Sequence, residues 1–325
     1  MSKISIGVLG TANIAERFII PTLLELGDYF DLKYIAGRSQ EKANDFARRF
    51  NCSPIYSLQE LIDSSDIQAV YIPLPNSLHY HWVKQALLQD KHVLVEKSMG
   101  CNIEEVIELN EIAKERQLVL LENFQFRFHK QLLEIKRLIK EGTLGEVRQI
   151  RSAFGFSPFN DSNNIRYQKE LGGGALLDAG AYPLKIAQEI LASSLHVDSA
   201  SLFVDPNLEV DLWGSAQLKD SQSKVTVQAA FGFDNAYMCN LEIWGSEGIL
   251  RSNRIFTSPP GVKAQLQLIT KTGEQTIEIP EDNHFKNILK VFHSYIIGEE
   301  DCTKEYEANI QQAKLISQLK VKASE

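Results

Sequence analysis

The chain has 325 residues, with 34 lysines and arginines against 42 aspartates and glutamates, for a formal net charge of −8. Hydrophobic residues make up 44% and charged residues 23%, the balance of a folded protein rather than a disordered one, and the length suits about two domains. The acidic excess argues against nucleic acid or a membrane surface as a partner, because both call for clustered positive charge.

The first ~120 residues alternate short apolar runs with amphipathic stretches. Ile4–Leu9 reads as a buried strand, Asn13–Leu26 as a helix interrupted near Pro21, and Leu32–Gly37 as a second strand. A helix over Gln40–Phe50 takes Ser39 as its N-cap, and Ser57-Leu58-Gln59-Glu60 is a capping box that opens a short helix. A strand at Ala69–Ile72, a helix at Leu78–Gln89, a strand at His92–Val95, a helix at Ile103–Arg116 and a strand at Val119–Glu122 follow. Such alternation predicts a parallel sheet covered on both faces, a Rossmann-type nucleotide-binding domain over residues 1–122.

After a helix at Phe128–Glu141 the pattern changes. Strands are expected at Val147–Phe156, Val197–Asp205, Glu209–Leu218, Ser223–Phe233, Tyr237–Ile243, Lys263–Ile269 and Gln275–Ile279, mostly without helices between them. An α+β domain with a mostly antiparallel open sheet is therefore expected over 123–325. Helices near Phe285–Ile297 and Tyr306–Val321 close the chain, the last one able to pack back on the first domain.

No apolar run reaches the ~20 residues of a membrane helix, and the N-terminus lacks the signal-peptide pattern, so a cytoplasmic location is expected. Cys52, Cys101, Cys239 and Cys302 lie far apart and read as free thiols. The two closest histidines, His79 and His81, would point to different faces of a helix, so no metal site is expected.

Gly7-Val8-Leu9-Gly10-Thr11-Ala12 sits where the first strand turns into the first helix. Glycine there lets the backbone approach a pyrophosphate, which the helix N-terminus favours. Gly7, Gly10, Thr11 and Ala12, with Asn13 and Ile14 at the helix start, are the candidate residues. The second strand ends Ala36-Gly37-Arg38-Ser39, with no acid to hold a ribose 2′-hydroxyl. Arg38, Ser39 and Lys42 suit a 2′-phosphate instead, so NADP(H) is preferred over NAD(H). Tyr71-Ile72-Pro73-Leu74-Pro75-Asn76-Ser77-Leu78-His79 and His92-Val93-Leu94-Val95-Glu96-Lys97-Ser98 each run past the C-terminal end of a parallel strand, where open α/β sheets bind ligands. Pro73, Pro75 and Asn76 are expected to line the nicotinamide end, with Asn76 equally readable as a helix N-cap. His79 reads either as a cofactor contact or as decoration of its helix. Gly172-Gly173-Gly174-Ala175-Leu176-Leu177-Asp178-Ala179-Gly180-Ala181-Tyr182-Pro183 gives an open loop, then Asp178 and Tyr182 on one helix face.

Together these strings resemble the Gfo/Idh/MocA oxidoreductases, named for glucose-fructose oxidoreductase and inositol dehydrogenase. The shared features are the G-x-x-G strand-turn, an E-K-P motif, and a G-G-G-x-L-x-D-x-G-x-(H/Y) segment. The resemblance spans nearly the whole chain and implies a sugar or sugar-like substrate. Lys97 matches the motif lysine and Glu96 its acid. Ser98 replaces the usual proline, which argues against a cis turn, since a cis bond without proline is costly. Tyrosine at 182 resembles the glucose-fructose oxidoreductase and dihydrodiol dehydrogenase branch and the NADPH-dependent 3-ketoreductases of nucleotide-linked deoxysugars.

A phenol with a reference pKa near ~10 exchanges protons at neutral pH only with help from a cation. Tyr182 is accordingly expected to give or take the proton in hydride transfer, with Lys97 beside it and Asp178 on a second hydroxyl. Arg166, in the polar loop Asn160–Glu170, suits a phosphate or diphosphate. The expected activity is reduction of a keto group on a nucleotide-linked sugar. The alternatives are oxidation of a free pyranose or trans-dihydrodiol, and a non-catalytic NADP-binding sensor. A free face on the second sheet implies a homodimer or homotetramer.

Overall fold

The structure, a computed structural model, describes residues 3–161, 163–191 and 195–325, so Ser162 of the polar loop lies outside the described residues. The chain divides into two compact units, one of Met1–Asn123 with Phe285–Gln311, the other of Phe124–His284 with Gln312–Glu325.

The first unit holds β1 (Ile4–Leu9), α1 (Ile20–Glu25), β2 (Phe30–Ala36), α2 (Gln40–Phe50), β3 (Ser53–Ile55), α3 (Leu58–Asp63), β4 (Ala69–Ile72), α4 (Asn76–Leu88), β5 (His92–Val95), α5 (Ile103–Glu115) and β6 (Leu120–Glu122). All strand pairs are parallel, in the order β3-β2-β1-β4-β5-β6. Every residue of β4 is buried, which is what a strand covered on both faces requires. Helix starts follow the capping chemistry: Ser39 Oγ accepts from Lys42 N and Ser57 Oγ from Glu60 N, both at 3.3 Å. The stretch before α1 forms a π-helical turn, Ala15–Ile19, so Pro21 stands at the start of the α-helical segment, where its missing N–H is no loss.

Phe285–Gln311 returns to this unit. Phe285 stacks on Phe18 with centroids 4.6 Å apart, Tyr306 donates to Leu118 O at 2.6 Å, and Asn309 Nδ2 donates to Asn110 Oδ1 at 3.0 Å. These residues lie on α8 (His284–Ile296), which follows α6 (Lys130–Lys140) and α7 (Ala181–Leu191) in the chain, and on α9 (Thr303–Ser324).

The second unit is built on an eight-stranded sheet. Its strands are β7 (Val147–Gly155), β8 (Leu195–Val204), β9 (Asp211–Asp220), β10 (Thr226–Gly232), β11 (Met238–Gly245), β12 (Gly248–Ser252), β13 (Val262–Thr270) and β14 (Gly273–Asp282), in the order β14-β13-β12-β11-β7-β10-β9-β8. Pairing is antiparallel except between β7 and β10, which run parallel with Phe154 opposite Phe231. Val227, Ala229 and Phe231 alternate inward along β10, and α7 packs on that face. The other face bears Trp213, Phe203, Met238 and Trp244 in the open. Among the described residues no helix is long and apolar enough to cross a membrane.

Candidate active site

Four β-strands of the first unit end at one edge of its sheet, and their loops carry the candidate cofactor residues. β1 runs into Gly10, whose φ of +131° is a conformation L side chains rarely adopt. A Cβ on Gly10 would stand 3.0 Å from Leu74 Cδ2 and 3.8 Å from Pro73 O, so the turn nests against the prolyl loop after β4. Gly37, after β2, lies against the same turn, its would-be Cβ 3.2 Å from Thr11 Cγ2. Asn13 is exposed, while Thr11, Ala12 and Ile14 are half-buried.

Arg38, Ser39 and Lys42 are all exposed beyond β2, and Arg38 and Lys42 form no ion pair among the described residues. Ser39 caps α2 as an acceptor, which leaves its hydroxyl hydrogen for another partner. A glycine turn without a side chain, beside two exposed cations and with no acid between the end of β2 and the start of α2, fits a dinucleotide bearing a 2′-phosphate.

Three of the expected cofactor contacts take other places. Gly7 is inside β1 rather than at the turn; its missing Cβ would lie 2.7 Å from Leu61 Cδ2, so the glycine admits α3 against the sheet. Glu96 Oε1 accepts from Tyr71 Oη at 2.7 Å and from Asn123 Nδ2 at 2.5 Å, which pins the loop after β5. Burial raises the Glu96 carboxyl above its ordinary value, against those hydrogen bonds and the Lys97 charge. His79 is fully buried, with Nδ1 2.7 Å from Ser98 O and Nε2 2.7 Å from Leu74 O, so neither ring nitrogen is left for a cofactor. Burial pushes His79 down to about 4, which keeps the imidazole neutral near pH 7. Asn76 is the first residue of α4, not its cap, and its Oδ1 accepts from Ser98 N at 3.2 Å.

Lys97 stands two residues past the end of β5 and is half-buried. The Lys97–Ser98 peptide is cis, contrary to the expectation from the missing proline. Side chains rather than a pyrrolidine ring hold the flanking backbone: Asn76 takes Ser98 N, His79 meets Ser98 O, and Glu122 Oε1 accepts from Met99 N at 2.8 Å.

In the second unit the glycine run packs onto the polar loop. Gly173 N donates to Gln168 O at 3.0 Å and Gly174 N to Arg166 O at 2.9 Å. A Cβ on Gly173 would stand 2.5 Å from Arg166 O, so no larger residue fits without moving backbone. Asp211 Oδ2 accepts from Leu176 N at 2.6 Å and so caps the π-helical turn Leu176–Gly180 that precedes α7. Asp178 lies in that turn and takes Arg166 Nε on Oδ2 at 2.6 Å. Burial opposes the Arg166 charge, but Asp178, then Tyr182 and Tyr167, hold the guanidinium above its ordinary value. Arg166 also lies over the Phe159 ring, 4.8 Å from its centroid. Tyr182 stands 8% exposed at the start of α7, ringed by Phe154, Phe256, Phe124 and Phe126 with centroids 4.9 to 5.8 Å away.

The structure therefore brings Arg166, Asp178 and Tyr182 together, and Gly10, Pro73, Leu74, Asn76 and Lys97 along one sheet edge. Sequence reasoning missed Glu122, whose position at the end of β6 is the same strand-end signal that marked Lys97. It also missed Asp211, 35 residues from its partner, for which no local signal exists.

Comparison with known proteins follows the same two halves. The model of the oxidoreductase family with NAD-binding Rossmann fold matches residues 4–124, and the GFO/IDH/MocA C-terminal domain matches 132–251. The chain is 34% identical over 322 residues to the dTDP-3,4-didehydro-2,6-dideoxy-α-D-glucose 3-reductase of Actinomadura kijaniata, covering 99% of this chain and 96% of that one. It is 38% identical over 275 residues to the reductase of the same name from Streptomyces violaceoruber, covering 85% and 80%. Among solved structures, the 3-ketoreductase KijD10 of Actinomadura kijaniata, in complex with NADP and TDP-benzene, superposes with a TM-score of 0.94 at 33% identity over 98% of both chains.

Proposed function

We infer that the chain, which belongs to the GFO/IDH/MocA oxidoreductase family, is an NADPH-dependent reductase of a keto group on a nucleotide-linked sugar. The observation that carries this reading is similarity along the full length to reductases of a dTDP-linked keto sugar. When bound, NADPH supplies the hydride. Gly10, Thr11, Ala12, Asn13 and Ile14 would hold its pyrophosphate; Arg38, Ser39 and Lys42 its 2′-phosphate; Pro73, Pro75 and Asn76 its nicotinamide end.

The protein's own chemistry is the proton. Tyr182 donates its phenolic hydrogen to the oxygen that becomes a hydroxyl, and Lys97 supplies the positive charge that eases that transfer. Asp178 accepts from a second sugar hydroxyl while it holds Arg166, whose remaining N–H groups suit the diphosphate of the substrate. Trp213, Phe203 and Trp244, exposed on the free sheet face, support self-association there, which a solution mass above that of one chain would bear out.

The test is NADPH oxidation with a dTDP-linked 3-keto sugar, set against free pyranoses and trans-diols. Tyr182→Phe is expected to lower turnover ~10²–10⁴-fold with NADPH affinity nearly intact. Turnover on free sugars alone would move the substrate class, tight NADPH binding without hydride transfer to any of them would make the protein a sensor, and undiminished turnover in Tyr182→Phe would remove the proton role.

A further inference from the structure

His79 is closed off from solvent, yet each nitrogen of its ring faces a polar partner. It is completely buried on the first turn of α4, and each ring nitrogen faces a backbone carbonyl at 2.7 Å. One carbonyl belongs to Ser98, the residue after Lys97; the other belongs to Leu74, the residue that covers the Gly10 turn. Asn76, three positions earlier on the same helix, accepts from Ser98 N. One face of α4 thus grips both backbone groups of Ser98, and the Glu122 carboxylate holds the next amide at Met99.

We propose that His79 is a positioning residue for the reaction, fixing Lys97 through the Ser98 carbonyl. The proposal rests on the reading of Lys97 as the cation of the proton transfer. A lysine side chain is long and flexible, so the direction in which its ammonium reaches is set by where its backbone is held. Ser98 O is one peptide removed from Lys97, so a shift there displaces the ammonium from the oxygen it serves. A misplacement of about 1 Å in such a group costs about 10²-fold in rate. A neutral imidazole has a single N–H and grips one carbonyl at a time. In this proposal that hydrogen sits on Nδ1, so that the bond to Ser98 O is made and is the one that bears on turnover.

Isosteres separate the two bonds. In His79→Asn the amide nitrogen falls near Nδ1 and can still reach Ser98 O; in His79→Gln it falls near Nε2 and reaches Leu74 O; His79→Phe keeps the ring shape and donates to neither. NADPH oxidation with a dTDP-linked 3-keto sugar, the NADPH Kd from nucleotide fluorescence, and the unfolding midpoint are measured for each, alone and with Lys97→Met.

Turnover is expected to fall about 10²-fold in His79→Phe and to recover at least about tenfold in His79→Asn but not in His79→Gln, with Kd changing far less than turnover. In the Lys97→Met background His79→Phe should cost nothing further, because the two act through one group. If His79→Phe does not fold, the His79→Asn to His79→Gln ratio decides alone. Equal turnover in the Asn and Gln variants, or losses that add to that of Lys97→Met, would overturn the role of His79. Lys97→Met with wild-type turnover overturns the reading of Lys97 instead, and with it this inference.

Discussion

The turn at Gly10 offers the sharpest test of the cofactor site. Its φ of +131° is closed to alanine without strain, and the added methyl would press on Leu74 Cδ2 at 3.0 Å. That atom ends a flexible side chain, so the contact relaxes by a few tenths of an ångström and the backbone term dominates. Holding a non-glycine residue in a sparsely populated region costs of order 1–3 kcal/mol. At 1.4 kcal/mol per tenfold, Gly10→Ala should weaken NADPH binding by about 5–150-fold. If the empty turn keeps the same φ, the strain appears in the unfolding midpoint instead of in Kd. Titration by nucleotide fluorescence beside a thermal melt therefore captures it in either state. Gly142, at the end of α6, is the control: its φ is +75° with nothing within 4 Å of a Cβ, so Gly142→Ala should lower the midpoint and leave Kd alone. A Gly10→Ala protein with both Kd and midpoint unchanged would refute the reasoning.

Two further outcomes are expected. If Arg38 holds the 2′-phosphate as proposed, Arg38→Ala would remove charge-assisted hydrogen bonds worth ~1.5–3 kcal/mol, so KM for NADPH should rise about 10–100-fold while KM for NADH barely moves; equal losses for both would sink the 2′-phosphate role. Glu189, on α7, accepts from Arg127 Nε at 2.6 Å and Lys136 Nζ at 2.8 Å. Burial raises its carboxyl, but the charges of Arg127, Lys136 and Lys185 outweigh burial and hold it down to about 2. Its folded value lies below the unfolded ~4.3, so its contribution is complete above ~4.3 and lost as pH falls through about 2. Glu189→Gln should therefore destabilise the protein at pH 7 by on the order of 3 kcal/mol, a gap that narrows below pH ~4 in urea melts; equal stabilities at pH 7 would contradict it.

The parallel half was the more legible one. β1, β4, β5 and α2 have the bounds read from apolar runs and caps, because each is a local pattern ended by its own turn chemistry. β3 and β12 escaped because three residues containing Pro54, and five beginning at Gly248, carry no period to detect. The parallel pairing of β7 with β10 is a fact of partners far apart in sequence, invisible to alternation within either strand. The same divide runs through the site. Gly10 and Lys97 stand at strand ends that can be read locally, whereas Gly7 looks like a turn glycine until Leu61 is seen filling its space. His79 resisted assignment because an isolated helix does not reveal two carbonyls contributed by loops before and after it.

The second unit binds its candidate groups by a different logic. Around Lys97 the backbone is held by groups of the protein itself, Asn76, His79 and Glu122. Asp178 and Arg166 instead hold each other, on a loop whose glycines leave no side chain between it and the helix that follows. A sugar hydroxyl that reaches Asp178 must share that carboxylate with the guanidinium, and a diphosphate that reaches Arg166 draws the guanidinium toward itself. In the proposed binding mode the two contacts are coupled: a substrate with both groups would satisfy the pair together, whereas a free sugar would take half of Asp178 and offer Arg166 nothing in return. Discrimination for the nucleotide-linked form then needs no contact with the base, and Arg166→Ala should erode it by weakening the linked substrate far more than the free one.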